Sequence, residues 1–331
     1  MRIGNRDLDT AVFIIAEIGA NHEGNFDDAV RLIRAAKEAG ADAVKFQTYR
    51  ADRIVAWTET QRFQHFRRLE LTDDEFRRLA AIAEQEDIIF LSTPFDLQSA
   101  DLLDSLVPAF KIASGDLTYH PLLRHVASKG KPVLLSTGMA DEEEIESALR
   151  VIENEGNREV VLLHCVSSYP TPPEEANLRA IKSLAERFGR PSGYSDHTLG
   201  ILACVASAAL GARVIEKHFT LDKTRATFRD HQLSADPDDL KALVTQVREV
   251  EKILGNGALA PGKTEEGNVS SMRRSIAALV NIPAGTVLDR GMLTFLRPGT
   301  GIATEKIDRI IGIRARRDIP QGSLLSWDDI E

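Results

Sequence analysis

The sequence predicts an α/β fold, a (β/α)8 (TIM) barrel followed by a small β-rich module. Three observations carry this reading. Short, nearly continuous apolar runs recur eight times before residue 255. Amphipathic stretches with recognisable helix ends separate them. Beyond a Gly-rich polar segment the chain changes texture, with Pro-x-Gly turns between short β-branched runs. Alternating strands and helices with apolar strands mean a parallel sheet covered by helices on its outer face. Eight such units match a closed barrel; an open doubly wound sheet is the alternative.

In chain order the runs are VFIIAEIG from Val12, AVKFQTY from Ala43, IIFLSTPF from Ile88, AFKIASG from Ala109, PVLLSTGM from Pro132, VVLLHCVSS from Val160, PSGYSDHT from Pro191 and ARVIEKHF from Ala212. Between them, Thr72 with Glu75 three residues later reads as a capping box, and Gly40, Gly156 and Gly211 read as helix stops before the next strand. These signals place the barrel at 1–258. After a helix over Asp238–Leu254, the segment GNGALAPGKTEEGNVSS supplies a linker at 259–271, and the β-rich module fills 272–331. Within that module NIPAGTVLDRGML from Asn281 and DIPQGSLLSWDDI from Asp318 form a degenerate repeat, which predicts two similar hairpin-like units.

The net charge of −9 and the lack of a basic block argue against nucleic acid or an anionic membrane as partner. The run Ile201–Ala212 is too short to span a bilayer, and Met1–Thr10 is too polar for a signal peptide, so a cytoplasmic protein is expected. Cys165 and Cys204 lack metal-ligand spacing and read as buried thiols.

Each apolar run ends in polar residues at its C-terminal side, the rim where barrel enzymes place their chemistry. His197 and His218 end the seventh and eighth runs, which are neighbours in a closed barrel, so both imidazoles can face one divalent ion, with Glu17, Asp116, Asp196, Glu216 and Asp230 nearby. Lys45 and Lys111 end otherwise apolar strands, where an inward ammonium needs an anion or a rim glutamate. With Thr93, Ser114, Ser136 and Ser195 on the same rim, a phosphate pocket made of side chains is the preferred reading, since no Walker loop or GxGxxG turn occurs. His22 reads equally as loop-ordering or as a sugar contact. His164 reads as a satisfied strand histidine, His65, His120 and His125 as solvated surface, and His231 as a residue over the site.

The motifs AEIGANHEG, AVKFQTY, FLSTPFD, KIASGD, LLSTGM, LHCVSSYPTP, YSDHTLG and EKHFTLD, with RRS and LRPGTGI in the tail, cover nearly the whole chain in order. Through them the sequence resembles the bacterial sialic acid (nonulosonic acid) synthases, which join phosphoenolpyruvate to an N-acylated amino sugar. The tail resembles their antifreeze-like, or SAF, domain of β-clip type. The resemblance implies that His197 and His218 bind a divalent ion, usually manganese, with magnesium or cobalt as alternatives. It implies a catalytic Glu17 and a phosphoenolpyruvate site of Lys45, Thr93, Lys111, Ser114, Ser136, Ser167 and Ser195. Sugar contacts from Gln47, Asp116, Tyr169 and Asp230 are implied as well, together with Arg297 from the partner chain of a homodimer whose SAF domains are exchanged.

The sequence departs from the family pattern near the sugar. Asp116 stands where Glu is common, Ser167 where the acetylneuraminate-making branch has Asn, TFRDHQLS replaces a shorter stretch, and the loop Arg50–Leu71 is shorter than in that branch. N-acetylmannosamine and the deoxy, diacylamino precursors of legionaminate or pseudaminate type are therefore both candidates. Other classes are a synthase acting on a phosphorylated tetrose or pentose, a Schiff-base aldolase using Lys111, and a non-catalytic carbohydrate-binding protein.

Overall fold

The computed structural model describes residues 1–225 and 230–331, which divide into two compact units, Met1–Gly255 and Asn256–Glu331. In the first unit all eight apolar runs form strands: β1 Phe13–Gly19, β2 Ala43–Thr48, β3 Ile89–Pro94, β4 Phe110–Ile112, β5 Val133–Ser136, β6 Val160–Cys165, β7 Ser192–Asp196 and β8 Val214–His218. They pair in parallel in the order β3-β2-β1-β8-β7-β6-β5-β4. The end strands β3 and β4 lie side by side without ladder bonds, so the eight-stranded barrel is nearly closed. The pairing of β8 with β1, Val214 opposite Phe13 through His218 opposite Glu17, excludes the open doubly wound sheet.

Side chains alternate across a strand, and here the alternation separates two cores. Ile14, Ala16, Ile18, Val44 and Phe46 face the surrounding helices. Phe13, Ile15, Ala43, Leu91, Leu134, Val161, Leu163 and Val214 fill the barrel interior, where Ile3 and Leu8 of an N-terminal hairpin join them. One inward position is Gly193 on β7, because a Cβ there would come within 2.3 Å of the Val214 carbonyl oxygen and 2.7 Å of Leu163 Cδ2.

The helix ends follow the sequence signals. Thr72 and Glu75 make both halves of the capping box that opens the helix Asp73–Gln85. Asn25 caps Phe26–Ala39, and Gly40 ends it in the left-handed region at φ 91°. Among the described residues, no helix is long and apolar enough to cross a membrane.

The second unit contains a helix, Glu266–Met272, where the sequence suggested only linker, and two antiparallel strands, β9 Ser275–Ala278 and β10 Leu293–Leu296. The two repeats do not form separate hairpins. They interlock about an approximate two-fold axis, with Ile282 and Ile319, equivalent residues of the repeat, exchanging N–H···O bonds of 2.9 and 2.8 Å. The same relation recurs outward: Gly322 N–H donates to Ala278 O and Gly285 N–H to Ala315 O, while Leu325 N–H donates to Ile276 O and Leu288 N–H to Ile313 O. Ile276, Ile282, Leu288, Ile319 and Leu325 form the core of this unit.

Gly193→Ala is expected to destabilise the protein by about 3 kcal/mol, because backbone on one side and a packed leucine on the other cannot both retreat. Urea unfolding of the full chain measures it, and a loss below 0.5 kcal/mol, within what a neutral surface change does, would contradict the packing described.

Candidate active site

The inward positions of the strands are apolar at the N-terminal end of the barrel and polar at the other. A cavity of about 480 Å3 opens there, lined by Glu17 and Gln47, Lys45, Thr93, Lys111, Ser114, Ser136, Ser167, Ser195, His197, His218 and Tyr169 among others. Every strand contributes, either directly or through the loop that follows it. A 670 Å3 cavity at the opposite end is lined by Arg6, Lys37, Asp42 and Asp87, whose charges are already paired, Arg6 with Asp42 and Lys37 with Asp87.

The centre of the rim cavity is a buried cluster of charges. Lys45 Nζ lies 2.7 Å from Glu17 Oε2 and 3.6 Å from Glu216 Oε2, and it donates to Thr93 Oγ1 at 3.1 Å. Lys111 Nζ lies 3.8 Å from Glu216 Oε1 and donates to the Ile112 carbonyl at 3.2 Å. Ser195 Oγ donates to Glu216 Oε1 at 2.9 Å, and Gln47 Nε2 donates to Glu17 Oε1 at 3.3 Å. Both lysines thus have the rim-glutamate partners that the sequence left open. The hydroxyl of Ser136 is buried on the same wall with no hydrogen-bond partner.

Burial pushes Glu17 up to about 7, although Lys45 works in the opposite direction. For Lys45 burial opposes the charge, but Glu17 and Glu216 outweigh it and the pKa rises. Lys111 is pushed down by burial, with only Glu216 near enough to resist strongly. Burial also acts against ionised Glu216, yet Lys111 and Lys45 together bring it below the usual carboxylate range.

His197 and His218 face each other with ring centroids 5.3 Å apart, and the Tyr169 ring lies tilted by 37° with its centroid 4.1 Å from that of His197. Burial lowers the pKa of His197, and lowers that of His218 well below the ordinary value with further help from His197. Both rings are therefore neutral, as metal ligands must be. His197 Nδ1 lies 2.8 Å from the Val166 carbonyl oxygen, which can only accept, so Nδ1 carries the proton and Nε2 keeps its lone pair. His218 Nδ1 is buried without a partner. Two neutral imidazoles in this arrangement fit a divalent ion. Among the described residues no group of three or more His, Cys, Asp and Glu gathers as a metal cluster, so water or substrate oxygen would complete the shell.

A second cavity, about 590 Å3, adjoins the first and shares Gln47, Arg62, Phe66, Tyr169 and His218 with it. Its remaining wall is Ala20, Tyr49, His65, Leu69 and Asp230. Arg62, His65, Phe66 and Leu69 form one face of the helix Thr60–Leu69. This face is not among the residues expected at the site from sequence, where His65 reads as solvated surface; the 62, 65, 66, 69 spacing is its sequence signal.

Several expected residues lie elsewhere. Asp196 is on the outer face of β7, paired with Lys217 at 2.8 Å, and so is not available to the histidines. Asp116 follows β4 in a short 3-10 turn and lines neither rim cavity. His231 is buried against Thr220 and Glu23 instead of covering the site. His22 orders its own loop by accepting from Gly24 N–H at 3.0 Å, and His164 is satisfied by the Ala176 carbonyl. Arg297 is exposed in the second unit. Within TFRDHQLS, Thr227, Phe228 and Arg229 lie outside the described residues.

Comparison with known proteins matches residues 32–259 to the NeuB family and residues 273–331 to the SAF domain. The N,N'-diacetyllegionaminic acid synthase of Legionella pneumophila is 42% identical, over 96% of this chain and 94% of its own. The pseudaminic acid synthase of Campylobacter jejuni is 36% identical over the full length of both chains. Among solved structures, the N-acetylneuraminic acid synthetase of Leptospira borgpetersenii in complex with citrate superimposes with a TM-score of 0.77 at 38% identity, over 81% of this chain and 94% of that one.

Asp116 supplies a test of the electrostatics. Its Oδ2 is buried without a hydrogen-bond partner, and burial pushes its pKa up to about 6 against a weaker pull from Lys111. The unfolded chain therefore releases this proton first, and the contribution of Asp116 to stability falls as pH rises from about 4 to about 6, then levels. Asp116→Asn should gain roughly 2 kcal/mol on the wild type across that window, read from denaturant melts of both proteins. A pH-independent difference between them would contradict the burial of the ionised form.

Proposed function

The chain is a NeuB-family synthase with a C-terminal SAF domain, and on that premise we propose that it condenses phosphoenolpyruvate with an N-acylated amino aldose of the deoxy, diacylamino class, giving a nine-carbon nonulosonic acid and phosphate. The observation that carries this reading is the convergence of two buried lysines, a ring of small hydroxyls and two neutral histidines on one cavity. Lys45 and Lys111, with Thr93, Ser114, Ser136, Ser167 and Ser195, hold the phosphate and carboxylate. The sugar occupies the adjoining cavity with its aldehyde toward His197 and His218, contacted by Gln47, Tyr169 and Asp230.

C3 of phosphoenolpyruvate forms the new bond to the aldehyde carbon, water adds at C2, and phosphate leaves by cleavage of the C2–O bond. Glu17, whose pKa is pushed up to about 7, gives its proton to the oxygen of the new hydroxyl and takes one back from the attacking water. A divalent ion between His197 and His218, manganese in the first instance and magnesium or cobalt otherwise, would supply Lewis-acid polarisation of the aldehyde. The diacylamino, deoxy preference is supported by the apolar wall of Ala20, Tyr49, Phe66 and Leu69, where the Tyr49 hydroxyl is turned to the Phe66 carbonyl. It is supported also by the relatives named for N,N'-diacetyllegionaminic acid.

A phosphate-release assay over a panel of sugars tests both levels. A 2,4-diacetamido-trideoxyhexose should be used with kcat/KM at least about tenfold above that for N-acetylmannosamine, the discrimination expected of one apolar wall against a hydroxyl. The reverse order would overturn the choice of sugar, and no release with any N-acyl amino sugar would overturn the function. Lys111→Met should lower kcat/KM for phosphoenolpyruvate by about 100-fold, because a truncated charge pair costs a few kcal/mol.

The same reading includes a homodimer with SAF domains exchanged, each presenting Arg297 to the partner's sugar. What supports it is that Arg297 is exposed on a loop fixed by Ser275 Oγ donating to Pro298 O and by Gly299 N–H donating to Ser270 O. Mixing His218→Ala chains with Arg297→Ala chains should restore activity, since a heterodimer holds one site with both groups intact. Heterodimers that form without regaining activity would remove Arg297 from the partner's site.

A further inference from the structure

We propose that the buried Lys217–Asp196 pair, on the outer face of the barrel, is a positioning clamp that sets the spacing and orientation of His197 and His218. This rests on the assignment of the two histidines as a divalent-ion site.

Lys217 immediately precedes His218, and its side chain is 0% exposed, as is that of Asp196. Its Nζ donates to Asp196 Oδ2 at 2.8 Å and to the Thr198 carbonyl at 2.5 Å. Those two acceptors are the residues on either side of His197. One ammonium therefore ties the backbone next to one imidazole to both flanks of the other, across neighbouring strands.

Asp196 is anchored in turn. Its Oδ1 accepts from Tyr194 OH at 2.9 Å and from Thr198 N–H at 2.8 Å, and Oδ2 accepts from the Cys204 thiol at 3.2 Å. The clamp is thereby fastened to the helix Leu202–Ala209 behind it. Nothing in the clamp touches the cavity, which Ser195, His197, Glu216 and His218 reach from the opposite side of the same strands. A pair of buried charges is weak evidence for stability, since apolar residues of similar volume serve as well. Its distinctive product here is directional. Five hydrogen bonds end on Asp196 and Thr198, the two residues flanking His197, while an apolar pair would leave the loop after β7 free to slide along β8. Outer groups of this kind tune ligand geometry without contacting the ion.

The test uses the full-length protein and Mn2+ itself, with binding followed by the loss of the free-ion electron paramagnetic resonance signal. Asp196→Leu/Lys217→Met removes both charges together and leaves no unpaired ion in the wall. It should weaken Mn2+ binding by about tenfold or more, with the melting curve retained and the KM for phosphoenolpyruvate, which Lys45 and Lys111 govern, moved less than twofold. Tyr194→Phe, which removes one donor to Asp196 and keeps the packing, should weaken Mn2+ binding by about two- to fivefold and serves where the double variant does not fold. Mn2+ affinity within experimental error of wild type in a folded double variant, or in Tyr194→Phe, would overturn the clamp. Wild-type protein that binds no Mn2+, or that binds it equally well as His197→Ala, would overturn the metal-site assignment and the clamp with it.

Discussion

Everything at the rim depends on keeping four ionisable side chains, Glu17, Lys45, Lys111 and Glu216, out of water at once. A single one of these charges inside a barrel would be prohibitive, and two of each sign are tolerable only when each faces its opposite. Strand register provides that pairing. Glu17 stands opposite Lys45 across β1 and β2 and opposite His218 across β1 and β8, while Glu216 stands opposite Ser195 across β8 and β7. A slip of one residue in any of these strands would send its polar groups to the helix-facing side and bring apolar ones inward. The apolar interior below, from Phe13 to Val214, therefore does more than stabilise the barrel, because it fixes the registers on which the charge cluster relies.

The same period of two explains what surrounds the cluster. On β7 and β8 the residues Ser195, Glu216 and His218 point inward, and the intervening Tyr194, Asp196 and Lys217 point outward. The two faces are thus chemically different machines built from one pair of strands, an open polar cavity inside and a fully satisfied ion pair outside. The second unit uses a different principle. Its two repeats bond to each other through equivalent residues, so that one short sequence pattern serves twice and neither copy has to close a core alone.

Much of this was legible from sequence because strand ends in a parallel barrel converge whatever the helices do. Lys45, Lys111, Ser195, His197 and His218 could be placed on one rim from their positions at the ends of apolar runs, and the cavity contains them all. Asp196 is adjacent to His197 in sequence, which groups it with the metal-site acids, although strict alternation sets it on the other face. Strand ends carry no signal for the helix Thr60–Leu69, which is inserted after β2 and has a clear contact face of its own. In the tail the repeat was visible but its partner choice was not, since antiparallel pairing between distant segments leaves no local signal. The helix Glu266–Met272 was hidden by a composition of Gly, Asn and Ser that by itself favours coil.

The charge cluster also has a consequence for binding. Each lysine is engaged by a glutamate, so the cavity is close to electrically balanced and presents little free positive charge at its mouth. An anion entering must share or displace those glutamates, and its own field raises the pKa of the nearest carboxylate. Glu17 is already near 7 through burial, so a modest further rise leaves it protonated at neutral pH. Proton uptake by Glu17 frees Lys45 from its 2.7 Å partner and gives the anion an ammonium in exchange for a neutral acid. Anion binding and protonation of Glu17 are therefore linked in sign, each favouring the other. The glutamates that make two buried lysines tolerable are in this way the groups that release them, and Glu17, whose pKa is raised, is poised to let go before Glu216, which Lys111 and Lys45 hold below the usual carboxylate range.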